Sequence, residues 1–504
     1  MLEALIHGLT NVLNPAIIPW VLFAVFIGLA VGILPGLGGA ATTAILLPII
    51  YGMDPTFALT FLIALHAAVS QGGVVTSILF GVPGETVTVA SMLDGYPMAK
   101  NGEAGRALGA SQMASMVGAI FGGIVLACLI PIARPVIMAF GSPEMFMMAI
   151  LGISFVAVLG HGSPIKAIIA GGFGIMLSFV GFHSGTGELR YTADITYFWE
   201  GFQIVPVFMG LFAIPEVIDL MLHGGTIAKV EAANVGWKDV KEGCKDVFRN
   251  WKLVLRCSAM GTALGLIPGV GTNVSQFICY GHAKQSSKHP ELFGYGNVEG
   301  VIGPESGNNA KENGGLFTAL AFGLPTGAGI VMILAALMVL GVKPGQEMLT
   351  KHLDLFWTLA FSLILGNIIA SLGCLIMARQ LARLTLIRGV FLVPIIILLV
   401  ILGAYGVANN IYDVYLAFFF GGLGVLMKTY DYARVTFTIG FVLGDFVERY
   451  FLVSLSSLGP SFLLQSPIAL ALLFLTIVGL ASRGIKGLYV RFFQRLVAKE
   501  EEGD

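Results

Sequence analysis

A stretch built from glycine and proline occurs twice in this chain, each time inside long apolar sequence, and no other feature limits the possible fold as much. The first copy is GILPGLGG from Gly32 and the second is GLIPGVGT from Gly265. Each is followed downstream by a companion, GGVVTSILFGVPGE (Gly72 to Glu85) and GGLFTALAFGLPTG (Gly314 to Gly327). Pro35 and Pro268 are 233 positions apart and Pro83 and Pro325 are 242 apart, so the copies keep register apart from one short insertion in the second. A two-part pattern recurring in order marks an internal repeat.

Proline removes a backbone donor and glycine weakens a helix, yet both sit here where a helix would otherwise continue. The surroundings are a membrane. The chain has 504 residues, of which 56% are hydrophobic and only 11% charged, against roughly 25% charged in a soluble domain; its mean hydropathy is +0.88. Apolar runs of helix-spanning length recur throughout, which predicts an all-α polytopic membrane protein and excludes a barrel of short alternating strands. In lipid an open backbone group costs several kcal/mol, so a broken helix survives only where protein or a water-filled cavity covers it. Paired Gly/Pro-interrupted segments at matching positions of two halves point to a transporter binding site. The net charge of −1 suggests no nucleic-acid partner. The five cysteines (Cys128, Cys244, Cys257, Cys279, Cys374) form no CxxC pair and are read as core residues. No basic region precedes the first apolar run, so the first span is expected to direct insertion itself.

The layout follows from the repeat. Residues 1–222 form a first transmembrane repeat, 223–258 a basic cytoplasmic linker, 259–482 a second repeat and 483–504 a basic cytoplasmic tail. Pro35 to Ile50 reads as a re-entrant hairpin or broken helix. Phe57 to Val69 reads as a short apolar run that meets Ser70-Gln71-Gly72-Gly73, Asp94 to Arg106 as polar, and Pro304 to Asn313 as a polar stretch whose Pro304–Ala310 part is read as a site, with an N-terminal cap and solvated loop as the alternative. Basic residues favour the cytoplasm. Counting spans back from the tail and the linker puts matching segments of the two copies on opposite faces, which is an inverted-topology repeat with broken or re-entrant helices.

Half-helix N-termini offer N–H groups to anions, and unwound carbonyls can hold a cation. The substrate-binding candidates are therefore Pro35, Gly36, Gly38, Gly39, Thr42 and Thr43 in the first break and Pro83 and Gly84 in its companion. In the second copy they are Pro268, Gly269, Gly271, Thr272 and Asn273, then Asn308 and Asn309, then Pro325 and Thr326. The amides of Asn308 and Asn309 are candidate Na⁺ ligands as well. Glu305 is assigned to holding its loop or taking a proton, Glu85 to a helix cap or the site, and His66 to a satisfied polar core position ahead of a proton carrier. Lys311 and Glu312 are adjacent, so on a helix they would not face each other, and solvated or loop-stabilising roles are expected. Tyr430-Asp431 and Gly444-Asp445 mimic paired intramembrane aspartates but lie at opposite ends of one span. No HExxH, GxSxG or GxxxxGK[ST] occurs, so the chain is not expected to be an enzyme or to bind a cofactor. A passive anion channel is the alternative reading, and a membrane-embedded enzyme the more remote one.

At these motifs the chain resembles the large membrane subunit of the tripartite tricarboxylate transporters, the TctA family. The resemblance rests on GILPGLGG, GGVVTSILFGVPGE, GLIPGVGT, EGVIGPESGNNA and GFVLGDFVERY, in that order. It implies a multi-pass subunit of the bacterial inner membrane, working with a small four-helix membrane subunit and a periplasmic solute-binding protein. The implied activity is uptake of di- or tricarboxylates by symport with Na⁺ or H⁺; the neutral, amide-rich motifs favour Na⁺. The family's Pro-Gly and Asn-Asn motifs fall on Pro35, Gly36, Pro268, Gly269, Asn308 and Asn309. This chain departs from the pattern at Val74, Gly81, Pro325-Thr326 and Lys311-Glu312-Asn313.

Overall fold

A computed structural model of the chain describes residues 1–34, 38–159, 163–183, 185–222, 236–267, 274–384 and 393–478. Pro35, Gly36, Pro268, Gly269, Gly271, Thr272 and Asn273, part of the linker and the C-terminal tail lie outside the described residues. The described chain is all-α apart from one two-residue hairpin. Its first half comprises α1 (Leu2–Val12), α2 (Ile18–Gly32), α3 (Gly39–Leu46), α4 (Pro55–Phe80), α5 (Val89–Lys100), α6 (Ala104–Met138), α7 (Ser142–Leu159) and α8 (Pro164–Ser178). The hairpin β1 (Gly181–Phe182) and β2 (Leu189–Arg190) follows. Then come α9 (Ile204–Phe208) and α10 (Ile214–Leu222), joined by a π-turn over Met209–Ala213. The linker carries α11 (Trp237–Arg249). The second half comprises α12 (Trp251–Gly265), α13 (Val274–Ser286), α14 (Glu299–Phe322), α15 (Ala328–Val339), α16 (Gln346–Thr350), α17 (Leu353–Leu384), α18 (Val393–Ala408), α19 (Ile411–Thr429), α20 (Arg434–Leu458) and α21 (Phe462–Gln465). A last apolar helix spans Pro467–Val478.

Among the described residues, Pro55–Phe80, Ala104–Met138, Ile204–Leu222, Leu353–Met377 and Ile411–Thr429 are long and apolar enough to cross a membrane. The most apolar window of Pro55–Phe80 is 94% buried, so α4 is sheathed by protein instead of lipid. That explains one correction. Ser70-Gln71-Gly72-Gly73 does not stop an apolar run; α4 passes straight through it, because its polar groups find partners in neighbouring helices. The same holds for the polar stretch Pro304 to Asn313, which lies in mid-helix in α14, buried except at Glu312, and is neither a cap nor a solvated loop. The polar stretch from Asp94 is also helical, as the second half of α5. Cys128 is exposed, unlike the buried Cys257, Cys279 and Cys374.

The chain forms two compact units. The larger comprises Met1–Met138 and Phe202–Tyr430. At its centre α4 and α14 hold equivalent places: α2 and α17 pack against α4, and α12 and α6 pack against α14. The crossings are equivalent atom for atom. A Cβ on Gly32 would lie 2.2 Å from the Val69 carbonyl oxygen, and one on Gly265 would lie 2.2 Å from that of Lys311. The first glycine of each doublet completes the contact, Gly72 against Leu29 and Gly32, Gly314 against Thr262 and Gly265. Small residues let helix backbones meet where no hydrophobic drive brings them together. α18 and α19 also belong here, with α9 and α10; Gly210 lies against the Ala417 backbone. The π-turn that contains Gly210 packs on α3.

The smaller unit comprises Ala139–Gly201 and the residues from Asp431 onward. In it α7 and α8 pack on α20. A Cβ on Gly174 would lie 2.1 Å from the Phe437 carbonyl oxygen, and one on Gly440 would lie 2.1 Å from that of Gly171. Arg190 clamps Glu448 with two bonds of 2.7 and 2.9 Å, and His183 approaches the same carboxylate at 3.4 Å. By order in each half, α7 and α8 correspond to α18 and α19, and α20 corresponds to α9 and α10. Each half thus supplies the closing helix for the other half's pair.

Candidate functional site

The two companion loops are built alike. α4 ends at Gly81 with φ +66° and α14 at Gly323 with φ +71°, the left-handed C-cap that glycine adopts without strain. The chain then turns through Pro83-Gly84 or Pro325-Thr326 into the next helix. The second glycine of each doublet is the seat for that turn: Gly84 lies on Gly73, and the Thr326 hydroxyl lies on Gly315. These loops lead to α15 in the second half, and α15 packs against α3 from the first. Two short helices that begin at breaks, one from each repeat, therefore meet.

Their N-termini meet around His66 of α4. A Cβ on Gly39 would lie 3.2 Å from His66 Nδ1, and one on Gly329 would lie 2.0 Å from its Cε1. Glu85 is not a cap for the helix after it. Its Oε1 accepts the Gly39 N–H at 2.6 Å, so its carboxyl group sits at the start of α3. His66 Nε2 lies 3.2 Å from Glu312 Oε2, and Lys311 Nζ lies 2.9 Å from Glu312 Oε1. Lys311 and Glu312 are thus neither solvated nor apart. Both side chains fold back into the protein, Lys311 with 3% of its side chain exposed, because a long ammonium stem can reach its neighbour's carboxylate even from adjacent positions. His66 Nδ1 is buried and meets no hydrogen-bond partner among the described residues, so His66 is not the satisfied core residue expected.

Behind this cluster lies a ladder of amides. Asn367 on α17 donates to the Leu363 carbonyl at 2.9 Å, which turns its oxygen towards Asn309 Nδ2 (2.9 Å) and Gln71 Nε2 (3.3 Å). Asn308 Nδ2 donates to Ser70 Oγ at 3.2 Å, and its Oδ1 accepts from Lys311 Nζ at 2.9 Å. An ammonium has no acceptor, so that contact fixes which end of Asn308 is oxygen. A shift of 242 positions carries His66 onto Asn308 and Ser70 onto Glu312. The charged pair His66–Glu312 and the neutral pair Asn308–Ser70 are therefore equivalent positions of the repeat. About one turn earlier on α14, Glu305 is fully buried and accepts from Ser91 (2.5 Å) and Ser115 (2.8 Å).

The structure sets Gly38 and Gly39 beside Glu85 and His66, and Asn308 beside Lys311 and Ser70; Asn309 belongs to the amide ladder, and Pro83, Gly84, Pro325 and Thr326 lie in the companion loops. Thr42 and Thr43 are buried in α3, and their hydroxyls donate to the carbonyls of Gly38 (3.1 Å) and Gly39 (2.7 Å) one turn back. Sequence reasoning missed Lys311, Glu312, Ser70, Gln71 and Asn367. The signal for the first four was the repeat itself, since the 242-residue shift lays Lys311 and Glu312 on Val69 and Ser70, inside α4. Asn367 sits outside every motif.

Comparison with known proteins agrees with this architecture. The sequence pattern of the Tripartite tricarboxylate transporter TctA family matches residues 18–440, which includes both breaks and both companion loops. An uncharacterised 52.8 kDa protein in the TAR-I ttuC' 3' region of Agrobacterium vitis is 33% identical over 450 residues, 88% of this chain and 88% of that protein. A second uncharacterised protein, in the TAR-II ttuC' 3' region of the same organism, is 31% identical over 220 residues, 43% of this chain and 91% of its own length. No solved structure matches the chain. With the match running through every element that builds the junction, the chain belongs to the TctA family of tripartite tricarboxylate transporter proteins, a family of membrane transport components.

Proposed function

We propose that this chain is the large transport subunit of a binding-protein-dependent secondary transporter, and that it imports small di- or tricarboxylates by symport with a cation. One observation carries the reading: at the junction of the two repeats a helix N-terminus already holds a carboxylate, that of Glu85 on the Gly39 N–H at 2.6 Å. A substrate carboxylate needs the same partners, an N–H group at a helix start and nearby positive charge. His66 and Lys311 supply the charge, and Asn308 and Asn309 supply amides. The substrate site comprises the break residues Gly38, Gly39, Pro83, Gly84, Pro325 and Thr326 with Asn308 and Asn309; Pro35, Gly36, Pro268, Gly269, Gly271, Thr272 and Asn273 complete it.

The reading includes a small four-helix membrane subunit and a periplasmic solute-binding protein as partners, and the bacterial inner membrane, with the C-terminus cytoplasmic, as the location. Membership of a tripartite transporter family supports the partners. The test is uptake in inside-out and right-side-out vesicles carrying this chain with its genomically adjacent small subunit and binding protein. Saturable, binding-protein-dependent accumulation of labelled citrate, malate or succinate is expected. Flux that equilibrates without accumulation under any gradient would make the protein a channel and overturn the symport reading.

A further inference from the structure

Resting on that transport reading, we propose that the coupling ion is a proton carried by His66, and that the Lys311 ammonium takes the place that a coupling Na⁺ would need. The amide oxygens of Asn308 and Asn309 are the neutral oxygens that the Asn-Asn motif would offer to Na⁺. Asn308 Oδ1 already accepts from Lys311 Nζ at 2.9 Å, and Asn309 Oδ1 faces the Asn308 amide N–H at 3.5 Å. A cation is therefore present at Asn308, but it is tethered to the chain and cannot be exchanged from one side of the membrane to the other. A Na⁺ entering there would meet an ammonium at contact distance, inside a site where like charges repel strongly.

A transporter with a fixed cation needs a different exchangeable charge, and the repeat shows where it is. One copy of the equivalent pair is amide and hydroxyl, Asn308–Ser70, which cannot change charge at any ordinary pH. The other copy is imidazole and carboxylate, His66–Glu312 at 3.2 Å. His66 lies against the starts of both short helices, at Gly39 and Gly329, so whatever charge it carries is presented where the substrate carboxylate docks. The charged groups that face it are Glu312 and Lys311 from α14 and Glu85 from the loop after α4; α3 and α15 present only the backbones at Gly39 and Gly329. Glu85 Oε1 and His66 Nδ1 both lie within 3.2 Å of the point that a Cβ on Gly39 would occupy, and Nδ1 has no partner among the described residues.

These positions define a proton cycle that balances without any other reagent. His66 takes a proton from water on the side from which substrate enters and becomes imidazolium between Glu312 and Glu85. The group of Lys311, His66, Glu312 and Glu85 is then neutral overall, and Glu85 can leave Gly39 for the imidazolium, which frees the helix start for the substrate carboxylate. When the site opens to the other side, substrate departs, Glu85 returns to Gly39, and His66 releases the same proton to water. His66 and Glu312 keep 11% and 13% of their side-chain surface exposed, whereas Lys311 keeps 3%.

The experiment uses the assembled three-component system in vesicles, with labelled citrate, malate and succinate as probes. Gradient-free exchange of label against the same unlabelled carboxylate is measured first; its absence for all three would overturn both the transport reading and this one. With exchange present, a pH gradient in Na⁺-free medium is expected to drive accumulation at least tenfold above equilibration, with proton entry visible on an internal pH dye, and a Na⁺ gradient at equal pH is expected to drive none. Accumulation under a Na⁺ gradient only would overturn proton coupling and leave the transport reading standing. His66→Gln, and Glu312→Gln as a second variant, are expected to lose the pH-driven accumulation at least tenfold; wild-type accumulation by either under the pH gradient would overturn the assignment.

Discussion

Alanine at Gly32 and at Gly265 tests whether the two halves are packed by the same contact. At either position a Cβ would lie 2.2 Å from a carbonyl oxygen of the central helix, whereas ordinary contact begins at 3.4 Å. The helix must therefore retreat by about 1.2 Å, from α4 in one case and α14 in the other. A gap of about 0.5–1 Å already forfeits a quarter to a half of each dispersion contact along a crossing. Overpacking of this kind costs about 1–3 kcal/mol. The two sites serve different helix pairs, so the losses should add in the double variant. The assay is the fraction of monodisperse protein that survives heating in detergent, read by size-exclusion chromatography, because membrane proteins unfold irreversibly and a rate is the meaningful quantity. Gly281→Ala and Gly422→Ala are controls with nothing within 4 Å of the new methyl group; each should be neutral or slightly stabilising, by about 0.5–1 kcal/mol. Transport should separate the two variants. Gly265→Ala displaces the Lys311 backbone and Gly32→Ala only that of Val69, so uptake should fall further in Gly265→Ala at equal loss of stability. Wild-type heat resistance in both variants, or equal damage in the controls, would refute the packing argument.

Three further outcomes are expected. Asp94 accepts the backbone N–H groups of Gly294, Gly296 and Asn297 at 2.8, 3.0 and 2.9 Å and the Tyr280 hydroxyl at 2.8 Å; Asp94→Ala should speed amide exchange at those three residues by about 10- to 100-fold, since a bond to a charged group contributes about 1.5–3 kcal/mol. Glu305→Gln keeps an acceptor for one of Ser91 and Ser115 and offers the other hydroxyl oxygen an amide N–H, so it should lower heat resistance by less than about 1 kcal/mol, whereas Glu305→Leu leaves both hydroxyls unpaired at about 1–3 kcal/mol each; equal behaviour of the two variants would show that the hydroxyls find other partners. Arg190→Lys cannot reproduce the two-pronged clamp on Glu448, and a double-mutant cycle with Glu448→Gln should give a coupling of about 1 kcal/mol, kept small because both side chains touch solvent.

The repeat, the all-α class and the position of each break were legible because glycine and proline act locally: they forbid or cap a helix whatever surrounds them. What the sequence hid was sheathing. A run such as Ser70-Gln71 or Asn308-Asn309 looks like a loop when judged one stretch at a time, and becomes an ordinary helix once α17 and α6 provide donors and acceptors on every side. The charged centre was hidden twice over. Lys311 and Glu312 should diverge on a helix, and only the carboxylate's place beside His66, 246 residues earlier in the chain, draws both inward. Glu85 is the reverse case: its capping role was foreseeable, its client was not, since Gly39 precedes it by 46 residues.

The crossed supply of closing helices has a consequence for how the protein is made. α8 ends at Ser178 and its partner α20 begins at Arg434, so at about 5–20 residues per second a ribosome leaves the glycine face at Gly171 and Gly174 uncovered for roughly ten seconds or more. During that interval the nascent α7–α8 pair must be shielded by lipid or by an insertion factor. The order is reversed for α9 and α10, which emerge first and wait for α18 and α19. A half-length chain could close neither group alone, but two identical copies could close both by exchange.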